Sequence, residues 1–176
     1  MNSLTTGTPA YSLREFNFSD CEALVQHLNN PNITKRLRRV PAPYRDSDAR
    51  HFIGNLINDA KSANPKMCNR AIIVDGVVVG CVGFTLDSDD NSGVIGYWLA
   101  EEFWGRGIMT HAARHMIDYG FSSLGLSLIR SYVFIDNLGS QNVLKKLGFK
   151  YVGDSTVRRW DDVIIPVQNY ELRNSN

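Results

Sequence analysis

The sequence predicts an α+β fold, a mixed α/β arrangement in which helices lie on both sides of one sheet, in the order βααβββαβαββ. Strand-like and helix-like hydrophobic patterns alternate along the chain. Asp75-Gly76 joins two apolar runs as a tight hairpin would, and Gly105 and Gly107 stand between a strand pattern and a helix pattern. The 176 residues, 43% of them hydrophobic, suffice for one domain, which we expect to span residues 10–173 after a flexible N-terminus, residues 1–9.

The first half of the chain supplies one strand, two helices and a hairpin. Residues 11–18 alternate as a strand does, and Ser19-Asp20 then offers an N-cap to a helix that Pro31 ends. A second helix begins near Asp46 or Ser47, with apolar residues at a 3.6-residue period through Ala60. The hairpin strands cover residues 70–74 and 77–86.

The second half repeats a strand-turn-helix pattern twice before two final strands. A strand at residues 94–99 precedes the glycine turn and a helix that starts near Ile108. A strand at residues 127–134 then leads into a short helix. Strands near residues 150–154 and 164–172 complete the sheet.

Composition argues against several function classes. The net charge of +1 is unlike that of a protein that binds nucleic acid directly or is drawn to a membrane surface. No apolar run approaches the roughly 20 residues that cross a bilayer, and residues 1–9 lack a signal-peptide pattern. Cys21, Cys68 and Cys81 are odd in number and lack metal-ligand spacing. We therefore expect free thiols, no bound metal and a cytoplasmic protein.

The glycine turn is the clearest chemical signal. Two glycines one residue apart let the backbone approach a ligand closely, and the following helix directs unpaired N–H groups toward the same space. Phosphate is the usual anion at such a place. A turn with glycines for steric reasons alone is the alternative. A nucleotide-phosphate binder is a further alternative, although the Lys-Ser/Thr pair of a P-loop is absent.

Further motifs help to distinguish between these interpretations of the glycine turn. Residues 95–99 (Ile-Gly-Tyr-Trp-Leu) and 103–110 (Phe-Trp-Gly-Arg-Gly-Ile-Met-Thr) are followed by Asn137-x-x-Ser140 and by Lys-Leu-Gly-Phe at 146–149. Together with Leu-Asn-Asn-Pro at 28–31, these segments resemble the GNAT N-acetyltransferase superfamily, and look most like its ribosomal-protein N-terminal-alanine acetyltransferases. The resemblance covers nearly the whole chain. It implies a splayed, mostly antiparallel sheet and acetyl-CoA as co-substrate. For the oligomeric state, which the sequence does not decide, we expect a monomer or homodimer.

The resemblance also assigns roles to individual residues. It places the CoA pyrophosphate on the amides of Gly105, Arg106, Gly107, Ile108 and Met109, with the hydroxyl of Thr110 nearby, and the pantetheine arm on unpaired backbone groups of Tyr97, Trp98 and Leu99. Asn137 corresponds to a contact near the thioester, and Ser140 to a proton donor for the departing thiolate. Core packing of Tyr97 and Trp98, an Asx turn at Asn137 and a helix cap at Ser140 remain the structural alternatives.

The general base is where the chain departs from the family pattern. Val94 stands where branch members often carry a glutamate, Leu144 where many members have a tyrosine, and Glu102 where a Gln or Arg is frequent. The sequence identifies no definite base. The candidates, each of which also suits a surface group or cap, are His111, Tyr132, Asp136, Asp161 and Asp162.

This departure bears on the acceptor. Neutralising an α-amine of pKa ~7.8 at pH 7 costs about 1 kcal/mol, whereas a lysine-type amine of pKa ~10.4 costs about 4.6 kcal/mol. We therefore expect direct attack by a protein N-terminal amine, with a small-molecule amine as runner-up and a non-catalytic acetyl-CoA-binding protein as a further alternative. The basic run at residues 35–39 is either a solvated helix face or loop or a patch that meets an acidic partner.

Overall fold

A computed structural model describes residues 10–174, so the predicted flexible segment at residues 1–9 lies outside the described part. Within it, seven strands form one sheet in the order β1-β2-β3-β4-β5-β7-β6. Only the β4–β5 pair is parallel. The strands are β1 Ser12–Arg14, β2 Met67–Val74, β3 Val77–Asp87, β4 Ser92–Leu99, β5 Leu128–Phe134, β6 Lys150–Arg158 and β7 Ile164–Arg173. The helices are α1 Cys21–Leu28, α2 Pro31–Thr34, α3 Asp46–Asp59, α4 Ile108–Ser122 and α5 Leu138–Lys146.

The Asp-Gly hairpin forms as predicted. Asp75 and Gly76 have φ values of 50° and 80°, the two positive values that a type I′ turn requires. Val74 pairs with Val77 directly across the turn. This hairpin begins the antiparallel half of the sheet, to which β4 is added next.

Two expectations for the first forty residues are wrong in detail. The first strand is only Ser12–Arg14, because Asn17 turns the chain and its side chain accepts a hydrogen bond from the amide of Ser19. Pro31 does not end a helix: α1 ends at Leu28, and Pro31 is the first residue of α2, an extra helix that the pattern did not indicate. Proline suits that position because the first helical N–H needs no intrahelical partner.

Helices cover both faces of the sheet, as predicted. On one face, α4 and α5 bury residues such as Ile108 and Leu144 against Phe84, Ile95 and Ile129. On the other face, α1 and α3 contribute a separate cluster that includes Leu24, Ile53 and Trp98. The sheet is therefore the middle layer of three, and each of its faces can present a different surface near the same strand ends.

The parallel pair β4 and β5 separates after three residues. Their register covers only Ser92–Val94 against Leu128–Arg130. Beyond this point β4 stays with β3 as far as Leu99, while β5 stays with β7 as far as Phe134. The hydroxyl of Ser131 donates to the carbonyl of Ile95 over 3.3 Å at the fork. This is the splayed sheet that the resemblance implied, and the opening positions the site.

Candidate active site

A cleft of about 330 Å³ lies where β4 parts from β5, between the N-terminal ends of α4 and α5. We call it the first cleft. Its wall contains ten of the eleven residues that the sequence suggested: Tyr97, Trp98, Leu99, Gly105, Gly107, Ile108, Met109, Thr110, Asn137 and Ser140. The exception is Arg106, whose guanidinium carbon lies 5.4 Å from the centroid of the Phe103 ring.

The glycine turn leaves backbone amides uncapped in the wall of the first cleft. Gly105 and Gly107 have φ values of 74° and 79°, which L-residues with a side chain rarely adopt. Gly107 is the N-cap of α4 and offers no side chain to its first turn. The initial amides of the helix therefore remain available, at the positive end of its dipole. A Cβ on Gly105 would meet no protein atom within 4 Å, so that space is open to a ligand.

Tyr97 and Ser140 form a hydroxyl pair across the first cleft. The Tyr97 hydroxyl lies 2.9 Å from Oγ of Ser140 and 3.3 Å from its backbone carbonyl. Burial raises the pKa of Tyr97 well above its ordinary value, and the hydrogen bond with Ser140 offsets only part of this. The Tyr97 hydroxyl thus stays protonated at neutral pH and can donate a hydrogen bond to Oγ of Ser140.

Helix α5 is capped by Asn137 rather than by Ser140. The side-chain oxygen of Asn137 accepts from the amide of Ser140 over 3.2 Å. Asn137 also lines the first cleft. The side chain of Asn137 therefore has a structural role as the helix N-cap instead of the suggested Asx turn, while the Ser140 hydroxyl takes no part in capping.

The backbone at the end of β4 is less open than expected. The indole N–H of Trp104 donates to the carbonyl of Leu99 over 2.7 Å, so this acceptor is not unpaired. An indole N–H that is only partly exposed needs such an acceptor. The side chain of Trp98 packs in the α1–α3 cluster, with its ring 6.2 Å from that of His27. For Trp98 the core-packing alternative therefore describes the side chain.

A second cleft of about 650 Å³ opens on the α3 side of β4 and includes Val94 in its wall. It meets the first cleft at six shared residues: Arg36, Leu37, Tyr97, Trp98, Asn137 and Ser140. Helix α3 contributes Asp48, His51 and Asn55 to it, which the sequence reading missed. Their i, i+3, i+7 spacing marks one helix face, and polar residues on a face otherwise apolar at Phe52 were the available signal.

The five candidate bases do not gather at either cleft. Asp161 is paired with Arg159 at 2.6 Å, and this hydrogen bond lowers the pKa of Asp161. Asp162 is paired with Arg158 at 3.3 Å. Of the five, only Tyr132 lines a cleft, the second one, at 42% exposure. His111 and Asp136 line neither, although Nδ1 of His111 is buried without a hydrogen-bond partner among residues 10–174.

All three cysteines are free thiols, as predicted. Cys81 lines the second cleft, and its burial raises its pKa to about 12. A thiol of that pKa is almost wholly protonated at neutral pH. Since the thiolate is the reactive form, Cys81 is unsuited to act as a nucleophile.

Comparison with known proteins identifies the family. Residues 12–150 match the family described as Acetyltransferase (GNAT) domain. The chain belongs to the GNAT acetyltransferase family. The uncharacterized N-acetyltransferase p20 of Bacillus licheniformis is 34% identical to this GNAT chain over 154 residues, which is 85% of this chain and 84% of that protein.

Solved structures share the fold of this GNAT protein. The ribosomal-protein-S5-alanine acetyltransferase of Vibrio fischeri superposes with a TM-score of 0.78 at 19% identity, covering 94% of each chain. The microcin C7 self-immunity acetyltransferase MccE, in complex with acetyl-CoA and AMP, gives 0.81 at 24% identity, covering 98% of this chain and 99% of its own. Because it belongs to the GNAT family, the protein is an N-acetyltransferase that uses acetyl-CoA as co-substrate and an amine as acceptor.

The first cleft suits acetyl-CoA on its own geometry. The first amides of α4 have no side-chain cap and the space beside Gly105 is open, which is the arrangement that binds phosphate at helix N-termini. The gap between β4 and β5 leads from this end to the Tyr97–Ser140 pair.

Within residues 10–174, no helix is both long and apolar enough to span a membrane.

Proposed function

We propose that this GNAT enzyme acetylates the α-amine of a protein N-terminus by direct attack within a ternary complex. The proposal rests on one observation, the scarcity of carboxylates in the wall of the second cleft. We assign this cleft to the acceptor. Among the described residues, Asp48 is the one carboxylate on that wall, and it accepts a hydrogen bond from the amide of Arg45 over 2.8 Å. Val94 occupies the β4 position where a glutamate base was expected.

A site without a carboxylate that is available as a general base favours an amine that loses its proton easily. At pH 7 an α-amine is neutral at a cost of about 1 kcal/mol, and a lysine amine at about 4.6 kcal/mol. Water in the second cleft is a sufficient proton acceptor for the first amine and a poor one for the second. The difference corresponds to a rate ratio of several hundredfold.

The first cleft supplies the other half of the mechanism. Acetyl-CoA provides a thioester whose carbonyl carbon bonds to the neutral amine nitrogen as its carbon–sulfur bond breaks. The proton that the nitrogen then loses passes through water to the departing CoA thiolate, so the products are the amide and free CoA. The amides of α4 hold the pyrophosphate, and Nδ2 of Asn137 orients the arm. The Ser140 hydroxyl donates a hydrogen bond to the departing sulfur. The Tyr97 hydroxyl donates a hydrogen bond to Oγ of Ser140 and so makes Ser140 a stronger donor.

A covalent cysteine step is not part of this proposal. Cys81 lines the acceptor side but is buried, with a pKa raised to about 12. Forming its thiolate at pH 7 would cost nearly 7 kcal/mol by the same arithmetic, about 1.36 kcal/mol for each pH unit. Direct attack by the amine avoids this cost.

The test is acetyl-CoA-dependent thiol release with matched peptides. One peptide has a free N-terminus and no lysine, and the other has a blocked N-terminus and one lysine. We expect the first to react at least about 100-fold faster, with mass spectrometry locating the acetyl group on the α-amine. Faster reaction of the blocked, lysine-bearing peptide, or of spermidine, would refute the proposal.

A small-molecule amine is the second candidate. It is favoured by the likeness to MccE, which covers 98% of this chain and whose structure contains AMP beside acetyl-CoA. An aminoacyl-nucleotide analogue in the same assay tests it. Acetylation of that analogue, with no reaction of any peptide, would replace the first candidate by the second.

A further inference from the structure

The charges on the wall of the second cleft are strongly unequal. Arg36, Arg38 and Arg39 line it, against the single carboxylate of Asp48, whose Oδ2 already accepts from the amide of Arg45. The three arginines belong to the segment that follows α2. They come from the basic run for which the sequence left two readings open, a solvated surface and a patch for an acidic partner.

These arginines are not neutralised within the described chain. No ion pair joins Arg36, Arg38 or Arg39 to a carboxylate of residues 10–174. Hydrogen bonds from Asn30 and Asn32, at 2.7–3.1 Å, are the main reason that the pKa of Glu101 is lowered. The charge of Arg36 contributes less to this shift. The contact of Arg39 with Oγ1 of Thr85 is long, at 3.5 Å.

Arg36 and Arg38 are half-buried, and Arg39 is exposed as a whole residue. Nε of Arg36 is buried without a hydrogen-bond partner among residues 10–174, and its guanidinium carbon lies 5.6 Å from the centroid of the Trp104 ring. Burial lowers the pKa of Arg39, and repulsion from Arg38 lowers it further. A partly desolvated guanidinium without an acceptor is unfavourable, and a carboxylate that binds it relieves that cost.

Arg36 lies at the place where we propose that acetyl transfer occurs. Arg36 lines both clefts, as do Tyr97 and Ser140, so it lies at the junction where amine and thioester meet. Arg38 and Arg39 line only the second cleft. An acceptor that occupies the second cleft with its amine at Ser140 therefore shares that cleft with all three arginines.

We propose that the acceptor is an acidic N-terminus, a peptide whose carboxylate side chains near the reacting α-amine bind Arg36, Arg38 and Arg39. The inference rests on the proposed function and names its substrate class. A lysine-rich or polyamine acceptor is disfavoured by the same charges, because like charges across a cleft repel.

The experiment compares two hexapeptides of equal length with free N-termini, Ser-Glu-Asp-Ala-Ala-Tyr and Ser-Gln-Asn-Ala-Ala-Tyr. We expect kcat/KM for the acidic peptide to be at least about 10-fold higher at low salt, and the preference to shrink at 0.5 M NaCl. Arg38→Gln and Arg39→Gln should each lower kcat/KM for the acidic peptide several-fold. The ratio of kcat/KM between the acidic and the neutral peptide should fall accordingly in both variants.

Arg173→Gln is the matched control, since Arg173 is exposed, pairs with Glu171 and lines neither cleft. It should keep the wild-type preference. Equal rates for the two peptides would overturn this inference and leave the N-terminal acceptor standing. Reaction of neither peptide, with acetylation of an aminoacyl-nucleotide analogue, would overturn both.

Discussion

At the scale of single residues, the contact between Tyr97 and Ser140 matters most for chemistry. The sequence identified Ser140 through the Asn-x-x-Ser motif, but it could not show that Tyr97, 43 residues earlier, shares its hydrogen bond. That contact depends on how far β4 diverges from β5, a non-local property with no local signature. The same limitation hid Asp48 and His51, which a helical pattern places on a face without showing what that face meets.

Ser140→Ala should lower kcat about 10-fold to 100-fold and leave the KM for acetyl-CoA nearly unchanged. The hydroxyl assists the departing thiolate through a hydrogen bond, a contribution at or below the lower end of what positioned proton donors supply. Tyr97→Phe, which keeps Ser140 but removes its partner, should have a smaller effect. Steady-state kinetics with a free-N-terminus peptide measure both.

Ser122→Ala is the matched control, because Ser122 is an exposed serine near the C-terminal end of α4 and lines neither cleft. Its kinetics should equal those of the wild type. A Ser140→Ala enzyme with unchanged kcat would show that the thiolate leaves without help from this hydroxyl.

At the scale of elements, the turn before α4 was predictable and its neighbours were less so. Gly105 and Gly107 could be recognised from their spacing and from the strand and helix patterns around them. Both adopt positive φ in the structure. Helix α2 was missed because four residues are too few for periodicity to register, and Pro31 was taken to end a helix rather than begin one. Short elements are determined by caps and packing more than by pattern.

Gly105→Ala should weaken acetyl-CoA binding by about 10-fold or more. At a φ of 74° an alanine is strained by about 1–2 kcal/mol, and its Cβ enters the space that we assign to phosphate. Isothermal titration with acetyl-CoA gives the dissociation constant, and urea unfolding gives the stability loss.

Gly125→Ala separates strain from ligand contact. Gly125 also has a positive φ, 69°, and open space at its Cβ, but it lies outside both clefts. The two variants should lose similar free energy of unfolding, while Gly125→Ala keeps its affinity. Equal affinities for both variants would argue against phosphate binding at Gly105.

Asp20→Asn should reduce the free energy of unfolding by about 2 kcal/mol at pH 7, in the range of hydrogen bonds to a charged group. Asp20 is 4% exposed at the start of α1; it accepts from both terminal nitrogens of Arg14, at 2.7 and 2.8 Å, and from the amide of Asn17. Burial alone would raise the pKa of Asp20, but these hydrogen bonds and the charge of Arg14 lower it below its ordinary value.

The pH dependence follows from the sign of that shift. Because the folded-state pKa is below the unfolded value near ~3.9, the contribution is complete above that pH and disappears as pH falls through the folded pKa. Urea unfolding at pH 7 and pH 3 should thus show the gap between wild type and variant narrowing in acid. Asp46→Asn, whose carboxylate pairs with Arg50 at the exposed surface, should change stability far less at either pH.

At the scale of the whole molecule, the sequence predicted the layers and the order of strands along the chain. It did so because each long strand and helix has its own periodicity and the turns between them carry Asp-Gly or Gly-x-Gly. The strand order across the sheet and the fork after Val94 arise from pairing between distant segments, so only the resemblance to a family anticipated the splay. The second cleft was beyond reach for the same reason, since its wall draws on segments from Leu24 to Val157.

Acetyl-CoA should stabilise the whole fold. At about 100 times its dissociation constant, a ligand that binds only the folded state adds about 2.7 kcal/mol. For a chain of this size that corresponds to a rise in Tm of roughly 5–10 °C. Differential scanning fluorimetry measures it, with ATP at the same concentration as the control; an equal rise with ATP would indicate a general nucleotide-phosphate site.

The fork in the sheet also divides the work between distinct stretches of chain. The strand-turn-helix units from β4 to α5 supply most of the first cleft, and α2 with the segment after it supplies the rest. In contrast, α1, α3, the arginine segment and the ends of β2 and β5 supply much of the second cleft. Six residues belong to both clefts. If the second cleft binds the acceptor, as proposed, substitutions on α1 and α3 can change which amine is acetylated while the first cleft stays intact, so one scaffold can diversify its substrates and keep its chemistry.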